Sequence, residues 1–94
     1  MNKAQELAKY ETGWWKAHHR KDMPAVIENM TKEYELQFDI PYERAREAVM
    51  KRAEATREHD IAEKFEDEGN QPEADKHWAT VEALLAEHFV LLYE

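Results

Sequence analysis

The chain has 94 residues, enough for one modest helical domain over residues 1–94 and too few for two. Its 13 Lys and Arg face 21 Asp and Glu, a formal charge of −8 that opposes phosphate-rich partners; no basic face gathers anywhere, so nucleic acid is not expected as a partner. Cysteine and serine are absent and glycine occurs only at Gly13 and Gly69, which removes thiolate metal sites, the commonest covalent nucleophiles, the P-loop and the dinucleotide fingerprint.

All three prolines fall in one recurring pattern: "DMP" (Asp22–Pro24), "DIP" (Asp39–Pro41) and "NQP" (Asn70–Pro72). Each reads as a helix start, with the Asp or Asn side chain accepting from first-turn amides and proline occupying a position that needs no intrahelical donor. These starts divide the chain into four predicted helices, about 2–21, 23–38, 40–68 and 71–93. The fold class expected is therefore all-α, an up-down antiparallel four-helix bundle with a long hairpin of helices three and four.

Helix one carries the apolar stripe Leu7, Tyr10, Trp14 and Ala17. Trp15 is turned by about 100° from Trp14, beside Ala4 and Ala8, and calls for a second contact surface, either helix four or a partner; ordinary packing is the favoured reading. Gly13 in mid-helix costs about 1 kcal/mol relative to Ala, which points to a close backbone approach. The run "HHRKD" has a structural explanation, since basic groups complement the C-terminal end of a helix dipole and Asp22 caps the next helix.

Helix two offers Val26, Ile27, Met30, Tyr34 and Phe38, and helix three a leaner set, Tyr42, Ala45, Val49, Ala53 and Thr56. Glu28 with Lys32 and Glu47 with Lys51 have the spacing of surface ion pairs. At ~1.5 Å per residue helix two spans roughly 24 Å and helix three roughly 43 Å, so the third overhangs. Gly69 suits the end of helix three, and Asn70 with Glu73 approximates a capping box for helix four. That helix is the richest in apolar residues: Ala74, Trp78, Val81, Leu84, Leu85, Phe89 and Leu92. Ile61, Phe65 and Trp78 at the overhanging tip are expected to lack neighbours within the chain, and with Trp15 they are the interface candidates for a homodimer through helices three and four, or for another protein partner. The tyrosines are expected to keep their hydroxyls in water.

The segment "AEKFEDEGNQPEADKHW" resembles the helix-turn-helix of a tetratricopeptide-like unit, over less than a quarter of the chain, and no family is assigned on it. No run reaches membrane-spanning length and "MNKAQELAKYE" has no apolar signal core, so a cytoplasmic protein without membrane association is expected.

The remaining chemistry lies with five histidines, His18, His19, His59, His77 and His88. No histidine follows a glutamate at the Glu-x-x-His spacing of di-iron bundles, and His-Glu-x-x-His is also missing. One-turn pairs remain: His18 with Asp22, His59 with Glu63, and Glu73 with His77. The His59 pair is similar to the His-x-x-x-Glu piece of hemerythrin-like bundles, whose other motifs are absent. By helical rise His18, His59 and His88 can fall near one level, so His18, His59, Glu63 and His88 form a candidate set for Zn²⁺ or non-haem iron. The function expected first is a non-enzymatic interaction or accessory module without a cofactor; the alternative is a metal-binding bundle with hydrolytic or redox activity.

Overall fold

The computed structural model describes residues 2–94. Among these the chain is all-α: α1 (Lys3–His19), α2 (Met23–Phe38), α3 (Tyr42–Asp67) and α4 (Gln71–Tyr93). They form a four-helix bundle with its most extensive packing between α3 and α4, then between α1 and α2, and then between α2 and α3. Cross-links run from Arg44 to Leu91, Lys51 to Glu87 and Glu58 to His77, so α4 descends antiparallel to α3. The molecule measures 50 × 33 × 19 Å, and its least dimension is about two helix diameters. Since α1 and α4 share no comparable interface, the bundle stays open on one side.

Local chemistry accounts for the helix ends. Asp22 accepts from the Ala25 amide and Asn70 from the Glu73 amide, each at 3.3 Å, with proline in the turn that follows. At the end of α3, Gly69 takes a φ of 77°, while the Asn70 amide donates to the Phe65 carbonyl and the Gly69 amide to Glu66. This pair of bonds is a Schellman stop. The same stop closes α1, where Asp22 donates to Ala17 and Lys21 to His18, but Lys21 supplies the left-handed residue at φ 59°. A side chain in that region costs roughly 1–2 kcal/mol.

One expected start is corrected. Asp39 does not cap α3; it ends α2 in the left-handed region at φ 53°, and α3 begins at Tyr42 with Pro41 as an N-cap that contributes no side-chain bond. A reciprocal capping box occurs instead at the start of α1, where Asn2 and Gln5 bond each other's backbone amides.

The core lies where the second half of α2, the start of α3 and the end of α4 meet. Tyr34, Ala45, Ala48, Val49 and Leu92 are buried there, flanked by Ile27, Met30, Phe38, Ile40 and Leu91. Helix α3 also buries Ala55 and Ala62, which with Ala48 recur every seven residues and so share one side of the helix. Helix α3 is therefore apolar on two sides, because it packs on both α2 and α4, and small alanines let the α4 backbone come close.

Helix α1 buries only Ala17. It meets α2 closely at Gly13, where a Cβ would stand 2.4 Å from Asn29 Oδ1, as the mid-helix glycine implied. Asn29 is held in place by donating to the Ala25 carbonyl at 2.8 Å.

Candidate functional site

The open side of the bundle forms a cleft of about 520 Å³ between the α1–α2 corner, α2 and α3. Helix α1 contributes Trp14 and His18, α2 contributes Met23, Val26, Ile27 and Met30, and α3 contributes Val49, Arg52, Ala53, Thr56, Arg57 and Asp60. Arg52 and Thr56 also border a second groove of about 350 Å³ over the α3–α4 seam, whose other walls include His59, Val81, Leu85 and Phe89. The two depressions therefore flank one ridge of α3.

The core holds a buried polar pair. The Tyr34 hydroxyl and His88 Nε2 are 2.9 Å apart, and their rings meet edge-on at 5.7 Å. His88 is 1% exposed, and its Nδ1 is buried without a hydrogen-bond partner. Burial, with a smaller contribution from the nearby Arg52 charge, holds the His88 imidazole below its ordinary range, so the neutral ring is favoured. Burial likewise raises the Tyr34 phenol. Neutral His88 therefore acts as a core residue tied to Tyr34 and packed against Phe89 at 4.7 Å.

A second buried group lies between α1 and α2. Glu33 is 8% exposed, and burial first, then the Glu11 charge, push its carboxyl above the usual carboxylate range. Trp14 offers Glu33 a weak counter-pull, yet its buried indole N–H meets no partner of good hydrogen-bond geometry.

The predicted metal ligands separate. His59 and Glu63 come together, with His59 Nδ1 3.5 Å from Glu63 Oε1, and Asp60 joins them at 3.3 Å. The potential ligand atoms of these three side chains lie within 4.8 Å of one another, the sole such group among the described residues. His88 is not part of it, being engaged with Tyr34 in the core. His18 is not part of it either: it is exposed at the cleft rather than inward-pointing, because α1 ends at the corner beside it. Sequence spacing found the one-turn pair and missed Asp60, since adjacent helical residues ordinarily diverge.

The other proposed pairs give way to different partners, three of them on a neighbouring helix where spacing within a helix does not reveal them. His77 bonds Glu58 of α3 and stacks on Phe65, while Glu73 pairs with Lys76. Asp22 serves the α2 cap. Glu28 accepts from the Tyr42 hydroxyl, and Lys51 reaches Glu87 at 2.8 Å.

The hairpin tip also differs from expectation. Ile61, Phe65 and Trp78 are half-buried, and the latter two have neighbours within the chain: Phe65 stacks on His77, while Trp78 meets His59 edge-on at 5.2 Å and donates to Glu66. Helix α4 extends far enough along α3 to cover the overhang. Trp15 is 54% exposed; of the two contact surfaces expected for it, helix four is not the one it meets, because α1 and α4 lie apart.

No protein-family model, curated protein or solved structure matches the chain significantly. Among the described residues, no helix is long and apolar enough to cross a membrane.

Proposed function

We propose that the chain is a non-enzymatic interaction or accessory module that works as a homodimer through α3 and α4 in the cytoplasm. The observation that carries this reading is the second apolar face of α4. One face packs inward through Ala74, His88 and Leu92. Ala79, Ala83, Ala86 and Val90, spaced by three and four residues along the helix, are exposed. Phe89 and Tyr93 add exposed rings at the same end of the helix, where Tyr93 is 68% exposed. A helix apolar on two faces is expected to have neighbours on both, and small side chains permit close helix approach. A second copy of α4, running antiparallel across a twofold axis, would place Ala83 against Ala86 of the partner subunit and join equivalent faces.

Sedimentation equilibrium at micromolar concentration tests this, with a dimeric mass expected. Ala83→Glu, on the exposed face, is expected to yield a folded monomer. A monomeric mass for the unaltered chain rejects the proposal.

The His59, Asp60 and Glu63 group favours a second reading, a Zn²⁺ or iron site; imidazole and carboxylate suit either ion by ligand type. All three side chains are substantially open to solvent, so weak binding is expected. Metal analysis of protein purified without chelator, followed by Zn²⁺ titration of the chain and of His59→Ala, tests it; identical titrations reject it.

A further inference from the structure

We propose that the cleft between the α1–α2 corner and α3 binds an amphipathic carboxylate, its alkyl chain along the apolar walls and its carboxylate held by Arg52 and Arg57. The volume, about 520 Å³, fits a small-molecule site, and the walls are mainly apolar with few polar groups. Met23, Ile27 and Met30 line one wall, and their flexible or branched side chains suit an alkyl chain. The α3 wall from Val49 to Asp60 runs for roughly 16 Å by helical rise, which gives the trough the shape for a linear ligand.

The charge pattern selects the head group. The chain has 21 acidic residues against 13 basic ones, yet neither Arg52 nor Arg57 forms an ion pair with a carboxylate among the described residues. Both enter the wall of this apolar cleft, about 1.4 turns apart on α3. A guanidinium beside apolar side chains gains most from an anion that also brings apolar surface, and its planar fork matches a carboxylate. Asp60, at the same wall, is engaged with His59 at 3.3 Å and adds the opposite charge, which disfavours ligands with several negative charges. No residue of the exposed α4 stripe lines this cleft, so ligand binding and dimerisation are read by separate measurements.

Isothermal titration with dodecanoate, dodecyl sulfate and dodecyltrimethylammonium, each below its micelle concentration, tests the assignment on the full chain. Dodecanoate is expected to bind saturably at one per chain, and the cationic amphiphile at least about tenfold more weakly, as loss of one charge-assisted contact predicts. Dodecyl sulfate separates a carboxylate preference from a general anionic one: binding weaker than that of dodecanoate supports the fork geometry, and tighter binding overturns the carboxylate assignment. Arg52→Gln with Arg57→Gln is expected to weaken dodecanoate at least about tenfold with the helical circular dichroism retained. If that double variant fails to fold, the exposed Arg57→Gln alone serves, with a smaller loss expected. Absence of saturable binding, equal affinity for the cation, or unchanged affinity in the arginine variants overturns the proposal. A cleft covered by a partner's helix instead of a lipid-like ligand belongs with the first of these outcomes.

Discussion

The α1–α2 and α3–α4 hairpins share one local grammar and differ in what they bury. Each ends its first helix with a Schellman stop and opens its second with an Asp or Asn cap followed by proline. The α3–α4 hairpin encloses Ala48, Ala55, Ala62, Ala74 and Leu92, whereas α1 gives the interior little beyond Ala17 and rests on α2 through Gly13, Asn29 and a buried glutamate. Turn chemistry alone therefore makes a hairpin; the depth of its packing depends on apolar residues that turns do not specify.

The largest expected effect sharpens that contrast. Leu92→Ala removes a buried side chain from the junction of three helices and should cost about 3 kcal/mol in urea unfolding, while Leu7→Ala on α1 should cost about 1 kcal/mol or less. Equal losses would mean that α1 is as deeply packed as α4.

Gly13→Ala comes next. Alanine gains about 1 kcal/mol in helix propensity, but the new Cβ meets Asn29 Oδ1, and overpacking costs roughly 1–3 kcal/mol, so a net loss is expected. In an Asn29→Ala background the same glycine replacement should become stabilising. A loss that persists there would place the constraint in the backbone instead of the Asn29 side chain.

Exchanging the two stops breaks the comparison at its turns. Gly69→Ala should lose about 1 kcal/mol and Lys21→Gly should gain up to about 1 kcal/mol, because each residue sits at positive φ. Changes of the same sign in both variants would defeat this account.

The smallest effects are in pH dependence, and the two regions differ in sign. His88 has a folded-state pKa below its ordinary 6.5, so the unfolded chain binds the proton first and stability falls as pH drops below 6.5. Glu33 has a folded-state pKa above 4.5, so the folded chain holds its proton longer and stability falls as pH rises through the window above 4.5. Urea midpoints measured over a pH range that spans the two ordinary values, 4.5 and 6.5, should show one of these slopes removed in His88→Gln and the other in Glu33→Gln. A retained slope in either variant assigns it to another group.

Helix number, two of the three proline starts, the Gly69 stop and the close approach at Gly13 were legible in the sequence, because each depends on dihedral preference or capping among residues a few positions apart. The one-turn relation of His59 and Glu63 was legible for the same reason. The Tyr34–His88 pair was not: 54 positions separate its members, and only the convergence of α2 and α4 turns a tyrosine expected at the water edge inward. Asp39 was misassigned because the same residue type favours both a cap and a left-handed stop, and the chain reversal decided between them. The cleft likewise depends on how α1, α2 and α3 converge, which helix periodicity does not encode. Short-range stereochemistry determined where the helices begin and end; which faces meet, and which charges and apolar walls they leave open, was decided by long-range packing in the tertiary structure.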